Sequence, residues 1–256
     1  MFNHQSGQYL EVDSAKIYYE IAGAKNKPVL LVLHGGIGTL EDMNILLPAL
    51  AKRFMLLGVD SRGHGKSTMG AHRLTYERIQ KDVEQVLQHL KIDTLSILGF
   101  SDGGIVAYRL ASFTKFNISR IVTIGAYWHY NNANAMRNLF KSITPNSWKE
   151  RLPETYTTYQ KLNSEPDFNH LLDASVKMWL DPGASGYPSY NLQRYTNPLL
   201  IIRGDDDHLL SRQMVVEQAD LMPNASLLNV PFAGHDAFTA QKEVVSLCLD
   251  RFLVKH

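Results

Sequence analysis

The sequence predicts an α/β protein: a mostly parallel, doubly wound sheet of eight strands, with helices on both faces and one helical insertion. Three observations carry that prediction. Short apolar runs recur in alternation with stretches of helical periodicity, the pattern of a parallel sheet covered on both sides. The alternation breaks once, over residues 127–196, where no strong strand signal occurs and aromatic residues cluster. It then resumes and runs to the C-terminal region.

Gln8–Val12 and Lys16–Ala22 alternate as half-buried strands across the turn signal Asp13-Ser14. Lys25-Asn26-Lys27-Pro28 reads as a loop, and Val29-Leu30-Leu31-Val32-Leu33 as a strand buried on both faces. Glu41–Ala51 predicts a helix and Met55–Val59 a strand. Thr75–Leu90 is helical, with Ile79, Val83, Val86, Leu87 and Leu90 on one stripe. Leu95–Leu98 is the fifth strand, a helix opens at Gly104, and Ile121–Ile124 is the sixth strand. After the break come the strand Pro198–Ile202, a helix over Arg212–Leu221, the strand Ser226–Val230 and a last helix over Gln241–Leu253.

Residues 1–126 and 197–256 therefore form the expected core, and 127–196 an insertion with helices expected at Ala133–Phe140, Thr155–Leu162 and Phe168–Trp179. The insertion leaves the carboxyl edge of the sheet, where open α/β proteins bind their ligands, so it reads as a cap over a site. All three tryptophans fall within it. Trp128 and Trp179 are candidate substrate contacts; the plainer alternative is that they form the insertion's own small core. Pro182-Gly183-Ala184-Ser185-Gly186 reads as a flexible stretch near its end.

Composition excludes several function classes. The formal net charge is +1, from 26 basic and 25 acidic side chains, a balance that steers neither nucleic acid nor an anionic membrane. No apolar run reaches the roughly 20 residues that span a bilayer. The N-terminus lacks a basic segment followed by an apolar one, so the default expectation is a cytoplasmic location. Cys248 is the single cysteine and reads as an inert core thiol. No C-x-x-C pair or H-E-x-x-H helix occurs, so a zinc site has no support; the chemistry that the resemblance below implies needs no metal or organic cofactor. The expected partner is a small-molecule substrate; oligomeric state is not fixed by the sequence.

Five motifs carry chemistry. Gly99-Phe100-Ser101-Asp102-Gly103 is a G-x-S-x-G pentapeptide between a strand and a helix. A serine on such a turn projects its hydroxyl from the sheet edge over a helix N-terminus that favours negative charge. His34-Gly35-Gly36-Ile37-Gly38 follows the third strand, and Asp60-Ser61-Arg62-Gly63-His64-Gly65-Lys66-Ser67 follows the fourth. Gly204-Asp205-Asp206-Asp207 follows the seventh strand, and Gly234-His235-Asp236 the eighth. A histidine titrating near pH ~6.5 can accept a serine proton at neutral pH and return it to a leaving group.

Together these motifs resemble those of α/β-hydrolase fold serine hydrolases, over nearly the whole chain outside the insertion. The resemblance implies Ser101 as nucleophile, His235 as general base and acid, and Asp207 as the carboxylate that orients it, with Asp205 and Asp206 as competitors. It implies an oxyanion hole from the amide of Gly36 or Ile37 together with that of Asp102. His34, Asp60, Arg62 and His64 become loop scaffold. The implied activity is cleavage of a small-molecule ester through an acyl-enzyme; the same triad serves C–C bond, lactone and aminopeptidase-type hydrolysis, and some relatives act as ligand-binding receptors. Ser101-Asp102-Gly103-Gly104 looks like the elbow of the valacyclovir hydrolase-like branch, which implies that Asp102 contacts substrate and favours α-amino acid esters. The alternative for Asp102 is an aspartate stabilised at a helix start.

Overall fold

The computed structural model describes residues 1–254; residues 255–256, the end of the expected core segment, lie outside the described residues. Its strands are β1 (Gln8–Val12), β2 (Ala15–Gly23), β3 (Val29–Leu33), β4 (Met55–Val59), β5 (Thr94–Phe100), β6 (Asn117–Ile124), β7 (Leu199–Gly204) and β8 (Ala225–Val230). They form one eight-stranded sheet in the order β1-β2-β4-β3-β5-β6-β7-β8. β1 pairs with β2 and β2 with β4 in antiparallel fashion; every later pairing is parallel.

The strand order reverses at β3, whose neighbours are β4 on one side and β5 on the other. Such a reversal opens a crevice beyond the carboxyl ends of the strands, because the loops leaving β3 and β5 depart to opposite faces. Leu33 pairs with Gly99 across that point, which brings the His34–Gly38 loop beside Ser101. Period-2 alternation divides the buried strand residues between two cores. Leu31, Leu33, Ile97, Ile121 and Ile201 pack on one face, and Leu30, Val32, Leu98, Val122 and Ile202 on the other. Each such fully buried aliphatic side chain contributes roughly 1.5–3 kcal/mol.

The helices are α1 (Leu47–Leu50), α2 (Tyr76–His89), α3 (Asp102–Phe113), α4 (Tyr130–Ala135), α5 (Arg137–Ser142), α6 (Pro145–Arg151), α7 (Pro153–Leu162), α8 (Phe168–Trp179), α9 (Arg212–Leu221), α10 (Ala237–Ala240) and α11 (Lys242–Leu253). Between β6 and β7 the described residues carry the helices α4 to α8 and a 3₁₀ segment, Ser189–Arg194, joined by loops, with no strand. The expected helix over Glu41–Ala51 is instead a 3₁₀ segment, Leu40–Leu46, followed by the single turn α1. Pro48 stands in that turn's first positions, where its missing N–H is tolerated, and a helix running through it would lack that bond. The expected helix over Ala133–Phe140 splits into α4 and α5 at Met136, whose ψ of 8° is non-helical. Helix α6 was not expected, although Thr144 caps it by accepting the Ser147 N–H and Pro145 follows at its start.

The stretch Pro182–Gly186, expected to be flexible, is tied to the core. Buried Arg109 on α3 donates to the carbonyls of Ala184 and Gly186 at 2.9 and 2.6 Å, and the Glu77 amide donates to Ser185 O at 2.9 Å. Asp181 accepts from the Gly183 amide and the Ser185 hydroxyl. Composition signals a loop there, but a buried guanidinium needs acceptors, and this loop's carbonyls supply them. Among the described residues no helix is long and apolar enough to cross a membrane.

Candidate functional site

Ser101 sits between β5 and α3 at φ 49°, ψ −117°, a conformation that costs an ordinary side chain about 1–3 kcal/mol. Its neighbours hold it there. The Ser101 amide donates to Ile124 O at the end of β6 at 2.8 Å, and its carbonyl accepts the amides of Gly104 and Ile105. The flanking glycines are required by close approach: a Cβ on Gly99 would lie 2.5 Å from Gly103 O, and one on Gly103 would lie 2.4 Å from Leu33 O.

His235 arrives on the loop after β8. Its Nδ1 lies 2.9 Å from Asp207 Oδ2, and its Nε2 lies 3.0 Å from Ser101 Oγ. An ionised carboxylate only accepts, so Nδ1 carries the proton and Nε2 is the acceptor for the serine hydroxyl. Burial pushes the Asp207 carboxyl up, but the His235 hydrogen bond and charge and the amides of Leu209 and Leu210 outweigh it and hold the carboxyl below its ordinary value. Those two amides donate to Oδ1 at 2.9 and 3.2 Å, leaving Oδ2 for the imidazole. Gly125, at φ +63°, lets the chain after β6 pass under the ring; a Cβ there would lie 2.9 Å from His235 Cε1.

The three consecutive aspartates part company. Asp207 meets His235, whereas Asp205 accepts from Arg203, Arg212 and Asn229 and Asp206 is exposed.

The loop after β3 lies against Ser101: a Cβ on Gly35 would be 3.3 Å from the Ser101 Cβ. Buried His34 accepts the Ser61 N–H at Nε2 and donates from Nδ1 to Gly35 O, at 2.9 and 2.7 Å. It thereby ties this loop to the one after β4. Asp60 accepts from the amides of Leu40 and Lys66, and buried Arg62 pairs with Asp82 at 2.6 Å. His64 is held near pKa 4 by burial and the adjacent His34, and its Nδ1 donates to Arg62 O. Ile37 is buried at φ +58°, a rare conformation for a β-branched residue. In α3 the amides of Gly104 and Ile105 are satisfied by Ser101 O; the amide of Asp102, in the first turn, has no intrahelical acceptor.

A model of the alpha/beta hydrolase fold matches residues 28–175, more than half of the chain. The chain belongs to the alpha/beta hydrolase fold family. It is 23% identical to Esterase YbfF of Escherichia coli, covering 89% of this chain and 93% of that one. It is 29% identical to the human Serine hydrolase BPHL, over 78% of this chain and 70% of that one. The crystal structure of a hydrolase from Pseudomonas aeruginosa superimposes with a TM-score of 0.78 at 22% identity, covering 98% and 99% of the two chains. The protein is an enzyme of the hydrolase, esterase-like type.

Within this alpha/beta hydrolase the Asp102 side chain is not open to the crevice. It is 8% exposed; Oδ1 accepts the Tyr76 O–H at 2.7 Å and Oδ2 the Trp179 Nε1–H at 2.8 Å. Burial raises its carboxyl above the ordinary value, against the opposing bonds from Trp179 and Tyr76. Gly36 lies directly on this pair, since a Cβ there would be 2.5 Å from Asp102 Oδ2 and 3.1 Å from Trp179 Cζ2. Trp179 thus lies beside Gly36 and the turn that carries Ser101. The described ring contacts of Trp128 are with His129 and Tyr190, at 5.3 and 5.5 Å, both within the insertion. Tyr76 and Arg203 were not anticipated. Tyr76 follows the capping Thr75, but nothing local says that its hydroxyl meets Asp102. Among the described residues no group of three or more His, Cys, Asp or Glu side chains is placed to hold a metal ion.

Proposed function

We propose that the protein is a serine hydrolase that cleaves a small neutral acyl ester through a covalent acyl-enzyme. The observation that carries this reading is the continuous Ser101–His235–Asp207 array, with links of 3.0 and 2.9 Å, on a strained turn beside the His34–Gly38 loop. His235 Nε2 takes the Ser101 proton as Oγ attacks the ester carbonyl. The amide of Asp102, with that of Gly36 or Ile37, receives the developing oxyanion, each donor contributing about 3–4 kcal/mol. The imidazolium, held by Asp207, returns its proton to the departing alcohol. Water then attacks the acyl-enzyme, with His235 again as base, and releases the acid and free Ser101.

The helical insertion acts as a cap over the acyl site, a role supported by the Trp179 bond to Asp102 beside Gly36. The filled state of the Asp102 carboxylate favours acyl groups without an ammonium, which would have to displace the Tyr76 or the Trp179 donor. Initial-rate hydrolysis of p-nitrophenyl esters, in acyl chains of several lengths and as aminoacyl esters, tests both points on wild type and Ser101→Ala. Activity on neutral acyl esters that disappears in the variant is the expected result. Activity that survives the substitution would overturn the role of Ser101, and a marked preference for aminoacyl esters would return Asp102 to amine recognition.

A further inference from the structure

Arg203 occupies the penultimate position of β7, after Leu199-Leu200-Ile201-Ile202, and is 5% exposed. A guanidinium in a buried parallel strand is costly unless its donors are satisfied. Four contacts engage four of its five N–H groups. Nε donates to Leu210 O at 2.5 Å and Nη2 to Asp207 O at 3.2 Å. Nη1 donates to Asn229 Oδ1 at 2.8 Å and Asp205 Oδ1 at 3.3 Å. The fork therefore grips both ends of the 207–210 turn by its carbonyls. Asp207 Oδ1 closes the same turn from inside through the amides of Leu209 and Leu210, which presents Oδ2 to His235. From the insertion, the Tyr127 hydroxyl donates to Leu209 O at 2.5 Å and braces the middle of the turn.

We infer that Arg203 is a positioning residue for the reaction: its bidentate hold on the carbonyls of Asp207 and Leu210 fixes the turn that aims the Asp207 carboxylate at His235. The inference rests on the serine-hydrolase reading above. Lysine cannot replace it, because a single ammonium lacks the planar fork that reaches two carbonyls at once. A merely structural ion pair with Asp205 makes a different prediction, since Arg203→Lys keeps the charge and loses only the fork.

The test compares wild type, Arg203→Lys, Arg203→Met and Asp205→Asn, with active sites counted by fluorophosphonate titration. Per active site, Arg203→Lys is expected to lower kcat on the order of tenfold to hundredfold with little change in KM, as small misplacements of catalytic groups do. The acidic limb of its kcat/KM profile moves to lower pH, because the imidazolium loses its aligned carboxylate. The low-field proton resonance of the His235–Asp207 bond weakens as well. Asp205→Asn, which keeps both backbone bonds of Arg203, stays close to wild type. If Arg203→Met fails to fold, the lysine variant carries the test alone. Unchanged per-site kcat and pH profile in Arg203→Lys, with only a lower Tm, would overturn the inference. Wild type that is not labelled on Ser101 would overturn the serine-hydrolase reading and this inference with it.

Discussion

Trp179, at the end of α8, donates its indole N–H to the carboxylate of Asp102, the residue after Ser101, across 2.8 Å. The helical insertion and the turn that carries Ser101 thus share one buried hydrogen bond. Among the described residues Asp102 forms no ion pair; its two oxygens accept from the neutral donors Tyr76 and Trp179.

Trp179→Phe keeps most of the ring and removes the donor. The orphaned Oδ2 then costs about 1–3 kcal/mol, as buried acceptors without a partner do, read as a lower midpoint in urea. The freed carboxylate also gains room for an ammonium, so the ratio of kcat/KM for aminoacyl over acyl esters rises. A ratio equal to wild type would mean that Asp102 does not face the acyl group even when released.

The three aspartates after β7 give a sharp comparison. Asp207→Asn removes the charge that faces His235 and is expected to lower kcat on the order of a thousandfold or more, the scale seen when a triad carboxylate is neutralised. Asp206→Asn alters an exposed side chain and leaves kcat at the wild-type level. Initial rates on one ester, normalised to labelled Ser101, check both. A comparable loss in Asp206→Asn would mean that the turn presents a different oxygen to the imidazole in solution.

The sheet was legible because its signals are local. Val29–Leu33 and Leu199–Ile202 are apolar runs whose burial follows from composition, and Ser101 is framed by Gly99 and Gly103, which the close passages at Gly103 O and Leu33 O require. Motif and chain order together then set His235 apart from the other histidines, and the G-x-x-D resemblance favoured Asp207 over Asp205 and Asp206. The partners of Asp102 were not legible, because Tyr76 and Trp179 lie on helices 26 and 77 residues away in sequence and periodicity marks them only as buried. The same holds for Arg109: an arginine inside an apolar helix announces that acceptors exist, not that they belong to the loop at Ala184–Gly186. Short helices were lost for another reason, since Met136 and Pro48 break segments whose composition is otherwise helical.

Arg62 and Asp82 form an ion pair with both side chains sealed from solvent. Burial drives the Asp82 carboxyl above its ordinary value despite the opposing Arg62 hydrogen bond and charge, so the pair stands on its geometry. Arg62 also donates to the carbonyls of Val12 and Met69, which joins β1 to the loop after β4. Arg62→Ala leaves Asp82 buried without a cation and is expected to cost about 3–5 kcal/mol. Urea unfolding with an unchanged slope and a lower midpoint is the expected record; a loss below 1 kcal/mol, on the scale of a surface pair, would mean that water enters the site.

His4 gives the fold a pH dependence of definite sign. Its Nε2 lies 2.8 Å from Asp60 Oδ2 and its Nδ1 2.5 Å from Glu41 Oε1. Carboxylates only accept, so both ring nitrogens carry protons and the ring is an imidazolium. Burial alone would lower its pKa, but the hydrogen bonds and charges of Asp60 and Glu41 outweigh burial and raise it above 6.5. Lys66, whose ammonium donates to His4 O and lies over the Tyr18 ring, is the cation nearby; Tyr18 stacks on His4 and donates to Glu20. A folded-state value above the unfolded one means that the stabilisation is complete below pH ~6.5 and is lost as pH rises through the folded value. His4→Gln removes this contribution at every pH. The gap in Tm between wild type and His4→Gln is therefore expected to be wide near pH ~6 and to narrow toward pH ~9, the direction that loss of a charged histidine pair imposes. A gap that stayed constant over that range would mean that His4 is held by shape and neutral hydrogen bonds, with no contribution from its charge.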